Sequence, residues 1–161
     1  FSAYIHVENK GLYMAVYILA SVFIRLMAGE WSDRYGRVKI VVIGCIVLFI
    51  SMFILAFSNE IVTYLISSVC FGIAFGLLSP SVFAWAVDLS LPGQKGKAVG
   101  TLFVFMELGI IIGSSVGGLV YQNDTSNFII VFLICAALAL SPLFIIYSKK
   151  GLSIMQRMFS T

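Results

Sequence analysis

Glu107 is the residue that a role in helix packing explains least well. It lies near the middle of an otherwise uncharged apolar run, residues 98–121. A carboxylate is costly in an apolar medium, so the group is expected to be protonated, paired or turned toward water. At about 100° per residue, Ser114 falls on the same helical stripe. We expect both to face a polar path, where the carboxyl gains and loses a proton or contacts a cation. A carboxyl held by neutral hydrogen bonds for packing alone is the alternative.

Glycines at four-residue spacing mark helix faces that could pack closely. Gly109, Gly113 and Gly117 lie on a face turned away from Glu107, and small residues at this spacing let membrane helices approach one another. We expect these three to pack against neighbouring helices. Gly72 and Gly76 have the same spacing in another apolar run, and the same expectation applies.

Arg25 is a second charge inside an apolar run, about one turn from its charged end. Tyr17, Ser21 and Arg25 recur every four residues and define one polar face, which should look inward. The long side chain could extend to the membrane interface. Alternatively it pairs with Asp88 or Glu107, or binds an anionic group.

Charge is concentrated in one short stretch, residues 29–39. It holds five of the chain's seventeen charged residues, and both signs are present, which favours a bonded network. We expect a hydrophilic loop between two apolar segments. Gly29 would let a helix end lie close to its neighbour, and Gly36 would supply the backbone freedom that a tight reversal needs.

The composition is that of a membrane protein. Of 161 residues, 61% are hydrophobic and 11% charged, against roughly 25% charged in an average soluble domain. A spanning helix needs about 20 apolar residues, because lipid offers the backbone no hydrogen-bond partners. The sequence predicts an all-α polytopic membrane helix bundle, one transmembrane domain over residues 1–161. The predicted spans are residues 12–28, 40–57, 61–87, 98–121 and 128–147.

Positive charges are distributed unevenly around these spans. Of ten Lys and Arg, eight fall in alternate loops and the C-terminal tail, and Lys10 lies on the other side. By the positive-inside rule, we expect a multi-pass protein of the plasma membrane with its N-terminus outside and its C-terminus cytoplasmic. The net charge of +3 then reflects topology, and no nucleic-acid partner is expected. The eight residues are Arg34, Arg37, Lys39, Lys95, Lys97, Lys149, Lys150 and Arg157.

No catalytic, metal or cofactor site is expected, and the chain does not read as an enzyme. His6 is the only histidine, and the three cysteines lie in separate apolar runs without metal-ligand spacing. Buried cysteines of this kind behave as small hydrophobic residues. The sequence contains no phosphate-binding loop for a nucleotide.

The stretch of residues 29–39 resembles the cytoplasmic loop motif of the major facilitator superfamily of secondary transporters. The six matching positions are Gly29, Asp33, Arg34, Gly36, Arg37 and Lys39. In that family the motif follows the second helix of each six-helix half. The resemblance implies a twelve-helix bundle with its substrate bound between the halves. An ordinary basic cytoplasmic loop is the alternative explanation.

Five spans fit helices two to six or eight to twelve of such a transporter. The fourth helix commonly carries an Arg four residues ahead of a Gly, whereas Ser67 and Ser68 stand near Gly72 here. This departure favours the C-terminal half, helices eight to twelve. The glycines around Ser114 resemble the fifth-helix motif of family antiporters, and this resemblance supports the other placement. Ser114 stands where that motif has a Pro, which weakens the antiporter assignment. Because Phe1 is not a Met, we expect a fragment whose partner is the missing N-terminal half.

The resemblance also implies roles for three charges. In the family, the motif Asp and the Arg four residues later, here Asp33 and Arg37, form a network with an acid at a helix end, here Asp88. That network steadies one conformation of an alternating-access cycle, and a static clamp is the alternative. We expect proton-coupled efflux of a small molecule across the lipid bilayer, without a cofactor. Uptake by a symporter, or a non-transporting membrane scaffold, remains the other possibility.

Overall fold

The computed structural model describes residues 11–58, 60–121 and 127–147. Within them lie five α-helices, each long and apolar enough to cross a membrane, which confirms the all-α polytopic architecture. The loops and termini at residues 1–10 and 148–161, whose charges enter the predicted orientation, lie outside the described residues. The helices are α1 (Leu12–Tyr35), α2 (Arg37–Ala56), α3 (Ile61–Asp88), α4 (Lys95–Tyr121) and α5 (Asn127–Tyr147).

The charged stretch, residues 29–39, is not the loop that the sequence suggests. α1 continues to Tyr35 and α2 begins at Arg37, so Gly36 alone separates them. Its φ of 91° lies in the region that glycine adopts without strain, and its N–H donates to the carbonyl of Ser32 at 3.2 Å. The reversal therefore occurs at Gly36 as expected. α1 extends past the predicted span because Glu30 and Arg34 have high helix propensity in water, so the charge of this stretch does not end the helix.

α3 lies between α1 and α2 and contacts both along much of its length. A Cβ atom added to Gly72 would lie 2.5 Å from the carbonyl oxygen of Tyr17 and 2.7 Å from Ala20 Cβ. One added to Gly76 would lie 2.9 Å from Ile24 Cβ. The absence of side chains at these two glycines therefore permits the close approach of α1 to α3, which confirms the packing that their spacing predicts.

Buried serines connect the same helices through hydrogen bonds. Ser68 Oγ donates to the carbonyl oxygen of Tyr13 at 2.7 Å, joining α3 to α1. Ser51 Oγ donates to the carbonyl oxygen of Ser67 at 2.9 Å, joining α2 to α3. All three serines are fully buried, and their small side chains allow the backbones to come close while the hydroxyl groups stay hydrogen-bonded.

The remaining helices are less enclosed. α5 packs along α2, whereas α4 borders α3 and α5 over a smaller contact. Every residue of α4 whose side chain is described keeps at least partial exposure. Most of the surface of α4 is therefore not covered by the other four helices.

Candidate functional site

The reversal at Gly36 places Arg37 where two acids can reach it. Arg37 Nη1 lies 3.0 Å from Asp33 Oδ1 on the last turn of α1. Arg37 Nε donates to the Oδ2 atom of Asp88 at the end of α3. One guanidinium group thus connects α1, α2 and α3 at one end of the bundle. The three charges that the family resemblance singles out are brought together.

The network is accessible to solvent. The Arg37 side chain is 26% exposed, that of Asp33 69% and that of Asp88 51%. Ion pairs in such positions contribute about 0–1 kcal/mol each, because water and salt screen them. The arrangement can therefore favour one relative position of the helix ends without fixing it.

The other motif residues lie around this network. Gly29 is inside α1, and a Cβ atom there would meet nothing within 4 Å. Arg34, in the last turn of α1, and Lys39, in the first turn of α2, are exposed. Among the described residues, neither forms an ion pair. Their positive charges remain free to interact with lipid headgroups or with a neighbouring helix end.

Glu107 and its stripe lie on the exposed helix. Glu107 and Ser114 are both exposed on α4, and Ser114 Oγ donates to the carbonyl oxygen of Ile111 in the same helix. In the described part of the chain, Glu107 has no ion-pair partner. The structure therefore does not bring Arg25 to this carboxyl group, and Asp88, the other acid considered for Arg25, pairs with Arg37 instead.

The three α4 glycines have open surroundings. A Cβ atom added to Gly109, Gly113 or Gly117 would meet nothing within 4 Å. Within the described residues no helix packs against this face. Their predicted packing role would need a further helix of a longer protein, and it stays a prediction.

Arg25 has an aromatic neighbour that the sequence reasoning did not identify. The guanidinium carbon of Arg25 lies 5.3 Å from the ring centroid of Phe75 on α3, within the range of a cation–π contact. Tyr17, two turns earlier on α1, meets the rings of Phe71 and Phe75 edge-on, with centroids 5.4 and 6.4 Å away. The i, i+4 spacing of Phe71 and Phe75 was the available signal, since it aligns both rings on one face.

An apolar cavity of about 710 Å³ lies beside α2, α3 and α5. Its wall includes Phe71 and Trp85 of α3, Cys45 of α2, and Cys135 of α5. The indole nitrogen of Trp85 is buried and has no hydrogen-bond partner in the described part of the chain. The Trp85 ring lines a space large enough for a drug-sized molecule.

Comparisons with a family model and with curated proteins point to the same kind of protein. A family model described as Major Facilitator Superfamily matches residues 4–151. The chain is 26% identical over 151 residues to multidrug resistance protein 2 of Bacillus subtilis, covering 93% of this chain and 37% of that protein. It is 29% identical over 111 residues to the quinolone resistance protein NorA of Staphylococcus aureus, covering 69% of this chain and 29% of that protein. The chain thus spans about a third of the length of the curated relatives it matches.

Proposed function

The chain belongs to the Major Facilitator Superfamily, and we propose that it is part of a secondary transporter that exports a small amphipathic solute in exchange for protons. The family is one of non-enzymatic membrane transporters, and the five membrane-length helices agree with a multi-pass membrane protein. Export is supported by the names of the relatives, which are resistance proteins for multiple drugs and for quinolones. The proposed placement is helices eight to twelve, in the plasma membrane, with the N-terminus of this segment outside.

The observation that carries the proposal is the position of Arg37 between Asp33 and Asp88. In alternating access, parts of a transporter move against one another around a fixed binding site. Ion pairs between helix ends that form in one conformation and break in the other bias such a two-state equilibrium. We assign the Asp33, Arg37 and Asp88 network this gating role, with Gly36 holding the backbone reversal on which it depends.

Glu107 is proposed to carry the coupled proton. Intramembrane acids are expensive, and where they occur they usually face the bundle interior or a water-filled cavity. Its exposure on α4 leaves the carboxyl free to face a solute path between this half and the N-terminal half of the transporter. Ser114, two turns away on the same stripe, would provide a neutral polar group on that path, while Gly109, Gly113 and Gly117 would face other helices.

Flux measurements on the full-length transporter in proteoliposomes, with an imposed pH gradient, test the proposal. We expect Asp33→Asn to insert normally but to turn over about fivefold more slowly or worse, since the pair it removes biases the cycle by about 1 kcal/mol. Glu30→Gln, which removes an exposed acid of the same helix end that is outside the network, is the matched control. Full activity of Asp33→Asn would contradict the gating role.

The same assay tests coupling and direction. Glu107→Gln should lose the response of flux to the pH gradient while the protein still binds solute. Unchanged pH-driven flux in Glu107→Gln would remove the coupling role. If solute accumulates inside together with protons, the proposed export is wrong and the protein is an uptake symporter. If no solute tried is moved, the remaining interpretation is a non-transporting membrane scaffold.

A further inference from the structure

Arg25 is a permanent cation in a membrane-spanning helix without an acidic partner among the described residues. Its guanidinium contacts the face of Phe75 instead, and the side chain is exposed. Intramembrane charges normally pair, or mark the path of a ligand. A contact with an aromatic face holds the guanidinium in place but leaves its N–H donors available for an anion.

The aromatic rings around Arg25 form a continuous surface. Phe71 and Phe75 stack at 6.3 Å with an interplanar angle of 14°, and Tyr17 contacts both edge-on. The positions of these rings follow from the backbone, since Gly72 lets the Tyr17 segment of α1 approach α3. Planar rings in this arrangement offer edge and face contacts to a further aromatic group.

Phe71 joins this surface to the larger apolar space. The same ring forms part of the wall of the cavity of about 710 Å³. Beyond it lie apolar side chains of α2, α3 and α5. A ligand that places an anionic group at Arg25 can therefore continue over rings into a space that suits an apolar body.

We propose that Arg25, Tyr17, Phe71 and Phe75 form the binding site for an aromatic monocarboxylate, with the carboxylate on Arg25 and the aromatic rings against Phe71 and Phe75. A planar guanidinium matches a carboxylate through two parallel hydrogen bonds. A single cation neutralises one negative charge, so the site fits a carboxylate better than a phosphate dianion. This inference rests on the proposed function, because it names the substrate class of the same transporter.

Equilibrium binding of two matched probes to the purified full-length transporter tests the inference. The probes are 2-naphthoate and its uncharged amide, 2-naphthamide, measured by titration calorimetry. We expect Arg25→Gln to weaken naphthoate binding by about tenfold or more, as loss of a charge-assisted hydrogen bond does, and to change naphthamide binding by less than about twofold. Arg25→Lys, which keeps the charge but not the planar fork, should fall in between. Lys95→Gln, at the exposed start of α4, controls for the loss of a positive charge.

Phe75→Leu provides an independent test that leaves the charge in place. Loss of the ring should weaken both probes by about two- to tenfold. Phe53→Leu, which removes a ring exposed on α2, should change neither affinity. Equal binding of naphthoate by Arg25→Gln and the unsubstituted protein would overturn the inference, as would equal weakening of both probes or binding of neither probe by the unsubstituted protein.

The two proposals fail separately. If the transporter moves other solutes under a pH gradient but binds neither naphthalene probe, the substrate site is wrong and the transport function stands. If it moves no solute but binds naphthoate in an Arg25-dependent way, the site stands and the transport function does not.

Discussion

Replacing Gly72 by alanine tests whether the approach of α1 to α3 depends on a missing side chain. The added Cβ atom would lie 2.5 Å from the carbonyl oxygen of Tyr17 and 2.7 Å from Ala20 Cβ. Carbon atoms prefer separations of roughly 3.5–4.0 Å, so the contact with Ala20 is too short by about 1 Å. Neither neighbour can turn away, because one is a backbone atom and the other is fixed to its helix. The two helices must therefore move apart.

The size of the effect can be worked from this geometry. Overpacking a well-packed core costs about 1–3 kcal/mol, and the upper half of that range applies when two backbones must shift. The separation also weakens the hydrogen bond from Ser68 to the Tyr13 carbonyl at 2.7 Å, a bond worth about 0.6 kcal/mol within a membrane. The higher helix propensity of alanine offsets about 1 kcal/mol. We expect a net loss of about 1–2.5 kcal/mol.

Thermal unfolding of the full-length protein in detergent, followed by tryptophan fluorescence, measures this loss. The midpoint for Gly72→Ala should fall by on the order of 1–3 °C. Gly96→Ala, in the first turn of α4 where a Cβ atom meets nothing within 4 Å, should unfold at the original temperature or slightly above it. Equal midpoints for the two variants would refute the argument that a glycine contact sets the distance between α1 and α3.

Two further pairs of variants separate local causes of stability. Gly36→Ala should lower the free energy of unfolding by about 1–3 kcal/mol, since a side chain is strained at a φ of 91°. Gly29→Ala, in an open helical position, should be neutral or stabilising. Thermal midpoints compare the two variants, and equal losses of stability would contradict the backbone explanation. Ser68→Ala should lose only about 0.6 kcal/mol of stability, because one interhelical hydrogen bond to Tyr13 disappears. The hydroxyl group of Ser141 bonds within its own helix, so Ser141→Ala should lose no stability. Chemical unfolding of the two serine variants decides this, and a deficit above about 2 kcal/mol for Ser68→Ala would show that the bond is not acting alone.

The positions of the membrane helices follow from the sequence because lipid leaves the backbone few options. Long apolar runs must become helices. In the run that contains Gly72 and Gly76, the spacing of the two glycines also predicts which face packs against a neighbouring helix. The helix ends are less predictable. α1 continues to Tyr35 and α4 already begins at Lys95, since charged residues that are good helix formers do not mark where a helix leaves the membrane.

The candidate site was predictable only in part. The charges near Gly36 form a recognisable motif, but the contact between Arg37 and Asp88 joins residues 51 positions apart, and periodicity cannot indicate such a pair. The family resemblance supplied it. Arg25 was identified as unusual, yet its neighbour Phe75 depends on the register of α1 against α3, which the Gly72 contact sets. Register between helices is a property of packing, and a single sequence does not specify it.

The exposure of the Arg37 network is consistent with the gating role proposed for it. A pair that steadies one conformation must also break once per cycle, so its strength has to be limited. A buried ion pair would cost about 3–5 kcal/mol when one partner is removed, whereas an exposed pair contributes about 0–1 kcal/mol. A difference of about 1 kcal/mol shifts a two-state equilibrium roughly fivefold. Neutralising Asp33 is therefore expected to redistribute conformations and slow turnover while the helices, held together by the glycine contacts and the buried serines, remain folded.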